Sequence, residues 1–146
     1  MSVEASRVQT MIDAPPAAVW KALMTPSEFK QFFFGSDVET DWKVGSPISF
    51  RGEWKGKPYE DKGVVKAVDE PKRLAFTHWS ALSGMTDSPE NYHIVTFDLR
   101  PSGAGTEVVL TQTNQNDAEP VTAKNRAEYD KNWTTVLAGL KQATEG

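Results

Sequence analysis

The chain has 146 residues, 38% of them hydrophobic and 25% charged, with a formal net charge of −4, which is the balance of a soluble globular protein. That length suits one domain, taken as 1–146. Lys and Arg are scattered and outnumbered by Asp and Glu, so no basic stripe recommends a nucleic-acid partner, and no apolar run approaches the roughly 18 residues that insertion into a membrane requires. The start "MSVEASRVQT" lacks the apolar core of a secretion signal, so a cytoplasmic protein is expected. The absence of Cys removes disulfides, thiolate metal sites and thiol nucleophiles.

In chain order, "ASRVQTMI" (5–12) alternates loosely and reads as a strand. "PPAAVWKALM" sets Val19, Trp20 and Leu23 at helical spacing behind an opening proline. "TPSE" has the form of a capping box, Thr25 with Glu28, so a second helix is expected over Pro26 to Phe33. From residue 46 the period becomes two. "SPISFRGEW" places Ile48, Phe50, Gly52 and Trp54 on one face, and "KG" offers a hairpin turn. "YEDKGVVKAV" and "KRLAFTHWS" continue the sheet around a "DEP" turn, and "NYHIVTFDL" and "TEVVLTQT" follow, joined by the glycine-rich hairpin "PSGAG". This last stretch lacks the Lys-Ser/Thr ending of a phosphate loop. Between the third and fourth of these strands, Ala81–Asn91 is longer than a hairpin connection, which suits a lid. After "NQNDAE", Pro120 is read as opening a long helix with Tyr129, Trp133, Val136, Leu137 and Leu140 on its apolar stripe.

This order, with an early strand, two small helices, a five-strand meander and a terminal helix, buries the last helix only if the sheet curves around it. An α+β fold is therefore expected, with about six antiparallel strands. The triplet Phe32-Phe33-Phe34 cannot all face one core, since a helix buries a stripe of about 100°. Phe29, Phe32 and Phe33 fit the buried stripe. Phe34 is left to cap a cavity mouth, to plug a gap under the next loop, or to meet a second copy in a homodimer.

The segments "APPAAVWKALMTPSEFKQFFFG", "GVVKAVDEPKRLAFTHW", "VTFDLRPSGAGTEVVLT" and "NWTTVLAGLKQ" together resemble the START-like helix-grip (SRPBCC) superfamily, and within it the family named for the activator of heat-shock protein 90 ATPase. The chain departs from a strictly amphipathic helix in the polar run before Trp133. The resemblance implies a helix-grip fold in which the space between curved sheet and C-terminal helix is a cavity lined by inward strand residues.

The alternation then supplies candidate ligand-binding residues: Phe50, Trp54, Phe76, His78, His93, Phe97 and Gln112 on the sheet, Tyr129 and Trp133 on the helix, and Phe34 at the mouth. Mostly apolar with a few polar groups, this set suits a small hydrophobic molecule; the competing reading is that the aromatics simply fill the core. His78 and His93 are the only imidazoles, on adjacent strands. No carboxylate is read beside them, because Asp98 and Glu53 alternate away, so neither a metal site nor a catalytic set is assigned and no cofactor is expected. Ser36 has no activating partner. The first functional reading is a carrier, sensor or sequestering module. The second is a cofactor-free enzyme of the polyketide cyclase or dehydratase type, with His78 or His93 as acid or base, and the third is co-chaperone action on a heat-shock ATPase; both follow from the resemblance.

Overall fold

In the computed structural model, which describes residues 3–80, 85–115 and 121–145 (for Trp54 the backbone alone), the chain runs β1 (Val3–Ile12), α1 (Pro16–Met24), α2 (Pro26–Phe32), β2 (Asp37–Glu39), β3 (Pro47–Trp54), β4 (Lys57–Asp69), β5 (Arg73–His78), β6 (His93–Ser102), β7 (Gly105–Asn114) and α3 (Ala123–Glu145). The strands form one antiparallel sheet in the order β1-β7-β6-β5-β4-β3-β2, curved around α3 as the element order requires. The count is seven rather than about six. Its extra member, β2, spans only three residues, too few for alternation to show in the sequence. The expected helix start at Pro120 lies outside the described residues, as does Ala81–Gly84 of the proposed lid.

Local chemistry explains the elements. Pro16 stands in the first turn of α1, where a missing N–H costs nothing, and Val19, Trp20 and Leu23 turn inward. At α2 the capping box does not form. Thr25 Oγ1 instead donates to the Lys21 carbonyl of the preceding helix (2.7 Å), because the two helices abut at this residue. Between β3 and β4, Lys55 (φ 51°) and Gly56 (φ 79°) make the two-residue hairpin, both in the left-handed region that such a turn needs.

Strand β4 is where the sheet bends. Its first half pairs with β3 and its second with β5, with a register shift between Val65 and Ala67. At the bend the Val64 N–H donates to Thr77 Oγ1 (2.8 Å) rather than to a backbone carbonyl. A Cβ on Gly63 would lie 1.7 Å from the Thr77 carbonyl oxygen, so only glycine permits this approach.

The core lies between the sheet and the helices. Phe29, Phe33, Phe50, Phe76 and Phe97 are all fully buried, and ring centroids at 4.9 Å (Phe29–Phe33), 5.3 Å (Phe33–Phe50) and 5.4 Å (Phe50–Phe76) join four of them in one aromatic stack. Helix α3 adds Trp133, Val136, Leu137 and Leu140, and crosses α2 so closely that a Cβ on Gly139 would meet Phe32 Cβ at 2.9 Å. Polar contacts strap α3 to β1 and to Asp13, the residue that follows it. Asp130 accepts from Ser6 Oγ, the Lys141 ammonium donates to the Met11 carbonyl (2.6 Å), and Glu145 Oε2 accepts from the Asp13 N–H (2.6 Å).

Candidate functional site

Aromatic side chains fill much of the space between the sheet and α3, and among the described residues a pocket of about 180 Å³ opens where β5 ends and β6 begins. Six of the ten candidate residues line it: Phe34, His78, His93, Gln112, Tyr129 and Trp133. Phe50, Phe76 and Phe97 stand behind it in the core, fully buried. The Trp54 side chain lies outside the described residues.

Each lining residue is placed by its element. His78 and His93 are direct partners across β5 and β6, so their side chains leave the same face of the sheet. Gln112 follows from β7, opposite Val95. Trp133 and Tyr129 stand one turn apart on α3. Phe34, just past α2, takes φ 55° and is followed by Gly35 at φ 71°. That pair of left-handed residues turns the Phe34 ring away from the buried stripe. It stays 55% exposed at the pocket's lip, edge-on to Phe33 (5.2 Å) and 6.2 Å from the Trp133 ring.

A chain of buried polar groups crosses the pocket wall. The Trp133 indole N–H donates to Gln112 Oε1 at 2.7 Å. An indole only donates, so this contact fixes which end of the Gln112 amide faces it. The amide nitrogen is thereby turned toward Asn114 Oδ1 (2.9 Å) and His93 Nδ1 (3.3 Å). His93 Nδ1 is then the acceptor, and the proton of the neutral ring sits on Nε2. The chain ends at Asn114 Nδ2, buried and, among the described residues, without an acceptor.

The expectation that neither histidine has a carboxylate beside it is overturned. Asp61 Oδ2 lies 3.3 Å from His78 Nε2, both side chains largely buried, under the rings of Phe33 and Phe50 (6.1 and 5.1 Å from the imidazole). Asp61 shares its face of β4 with Gly63 and Val65, so alternation alone would have found it; the charged "YEDK" context disguised it as a surface residue. Asn114 and Trp79 are further contributors that sequence reasoning did not single out. Among the described residues no three His, Asp or Glu side chains gather as a metal set.

A larger groove of about 860 Å³ lies on the opposite face of the sheet. Its charges largely neutralise one another: Arg51 holds Glu60 (2.7 Å) and Glu39 (3.2 Å), and Lys62 holds Asp87 (3.1 Å). Pro47, Ile48, Val64, Pro89 and Tyr92 also line it, but it lies on the outer face of the sheet, away from the gripped helix and from both histidines. The end pocket, with its aromatic walls and fixed polar groups, is the better candidate.

The family model described as Activator of Hsp90 ATPase homolog 1-like protein matches residues 13–145. The chain belongs to this family. Among solved structures it is similar to ChR145 from Cytophaga hutchinsonii, with 44% identity, 97% of this chain and 92% of that chain covered, and a TM-score of 0.78. The Aha1 dimer from Colwellia psychrerythraea shares the fold at 22% identity, with coverage of 99% and 96% and a TM-score of 0.70. So does DynU16, a putative protein of the dynemicin biosynthetic locus, at 20% identity, with 94% of this chain and 45% of that chain covered and a TM-score of 0.73. No curated protein sequence matches the chain. No described helix of this family member is long and apolar enough to cross a membrane.

Proposed function

We propose that this family member binds a small, largely apolar molecule carrying one aromatic ring in the end pocket, as a carrier, sensor or sequestering module. The observation that carries this reading is a pocket of about 180 Å³, walled by Phe34, Tyr129 and Trp133, whose polar groups are fixed by the Trp133–Gln112–His93 chain. A cavity of about 150 Å³ in a protein core is already enough to take benzene. The volume therefore suits an aromatic ring, and a longer molecule has a way out past Phe34. Tryptophan and tyrosine faces favour a flat occupant, each well-placed ring pair adding about 0.5–1.5 kcal/mol beyond area burial.

The test is titration with benzene or toluene while the amide and indole N–H resonances are followed. Ligand-dependent shifts should concentrate on Trp133, Gln112 and His93. A response spread over the outer face of β3 and β4, or none at all, would remove the reading.

A second reading, proton-transfer catalysis without a cofactor, is favoured by the Asp61–His78 pair, since a carboxylate that orients an imidazole is the usual support for a general base. It is tested by turnover that disappears in His78→Phe while the bound ligand is retained. Action on a heat-shock ATPase is suggested by the family name alone, and no feature of the pocket favours it.

A further inference from the structure

The two histidines are held in different ways, and the difference specifies the ligand further. His93 is committed: Nδ1 accepts from Gln112, whose orientation Trp133 dictates. Neither His78 nitrogen makes a described hydrogen bond. Its Nε2 stands at ion-pair distance from Asp61 Oδ2, 3.3 Å, which in the neutral ring favours the proton on Nε2 and leaves the lone pair on Nδ1. Asn114 Nδ2 is the sole described side-chain nitrogen or oxygen that is both fully buried and unbonded, so His78 Nδ1 is not sealed from a small molecule. The His78 side chain is 18% exposed and lines the pocket.

We infer that His78 Nδ1 is a hydrogen-bond acceptor presented to the pocket, and that the occupant is an aromatic molecule with a donating hydroxyl, a phenol. This rests on the binding reading above and narrows it. An apolar ring alone would leave Nδ1 covered without a partner, which disfavours it; a ring ether or ketone offers only lone pairs to a lone pair. A phenol satisfies both the ring-sized walls and the acceptor. Asp61 acts through His78 as a positioning residue.

Phenol and toluene test this, because they have nearly the same shape and toluene is the more apolar. Each is titrated into the full chain, with long-range proton–nitrogen spectra of the imidazoles recorded alongside. The free protein should show His78 as the Nε2–H tautomer. Phenol should bind about tenfold more tightly than toluene, as one added hydrogen bond to a covered acceptor provides, and should move the His78 Nδ1 resonance, whereas toluene should not. In His78→Phe the preference should vanish or reverse with toluene still bound; in Asp61→Asn it should shrink. Should toluene bind as well as phenol in the wild type, or the phenol preference survive in His78→Phe, the inference falls while the pocket reading stands. If neither compound binds, both fall together.

Discussion

Replacing Trp133 by Phe isolates one hydrogen bond at the centre of the pocket wall. Phenylalanine keeps an aromatic ring near Phe33 (centroid 5.9 Å from the tryptophan) but has no N–H, so Gln112 Oε1, in a side chain only 2% exposed, loses its 2.7 Å donor. An acceptor stranded in this way costs about 1–3 kcal/mol. At a central value of about 2 kcal/mol, a chain of this size should lose roughly 4–8 °C in Tm. The urea midpoint should fall with an unchanged slope, which marks a change in stability rather than in the unfolded state. Gln112→Leu and the double variant complete a cycle, with an expected coupling of about 1 kcal/mol or more. The amide also holds His93, so the imidazole spectrum of Trp133→Phe should show His93 sampling both tautomers. If Trp133→Phe unfolds like the wild type and the cycle is additive, the indole does not lock the amide and the tautomer assigned to His93 falls with it.

Other outcomes follow from named contacts. Gly63→Ala drives a Cβ into the Thr77 carbonyl at the bend of β4, so it should cost at least about 3 kcal/mol in a denaturant titration, unlike Gly45→Ala, where only the left-handed φ opposes the change and no atom lies within 4 Å. Gly139→Ala should lower stability by about 1–3 kcal/mol although alanine is the better helix former, because the new methyl meets Phe32 Cβ and Cα at 2.9 and 3.0 Å. Burial first, and then its hydrogen bond to Asp87, push the Tyr92 hydroxyl up to about 12, so its neutral form stabilises the fold below the ordinary value of 10.0 and that contribution is lost as pH rises from 10.0 toward 12; an absorbance titration of Tyr92→Phe should lack the last-ionising tyrosine. Phe34→Ser should weaken ring binding with little loss of stability; if light scattering instead shows a change from dimer to monomer, Phe34 is an interface residue.

Helical and alternating periods in the sequence were enough for the meander, the paired short helices and the gripping helix, because each of those elements has one buried face. They failed where a structural decision is not periodic. Strand β2 is too short, and the Thr25 hydroxyl was claimed by the helix before it rather than the one after. For the site, alternation brought six of the ten candidates to the pocket and carried Phe50, Phe76 and Phe97 on the same face but deeper. Period tells which face a residue takes; it does not tell how far along the groove empty space survives. Asp61 differs: its place in the alternation with Gly63 and Val65 marks the inward face, and only its charge and its charged neighbours argue for the surface.

The straps between α3 and β1 bear on how the chain reaches its native state. The Asp13–Glu145 and Lys141–Met11 contacts join positions 132 and 130 residues apart, and β1 also needs β7, its neighbour in the sheet, before it has a ladder to join. Closing a loop of that length costs about 4 kcal/mol in the logarithmic term alone, before any contact rewards it. The local hairpins β3–β4 and β6–β7 have no such delay and should form early, whereas β1 waits for the last third of the chain. A nascent chain still missing α3 would hold Phe32 and Phe33 without the cover of Gly139 and Trp133, a sticky intermediate whose lifetime is set by the rate of synthesis. Refolding from denaturant should accordingly be slow for a protein of this size, and variants at the α3–β1 straps should speed unfolding far more than they retard folding.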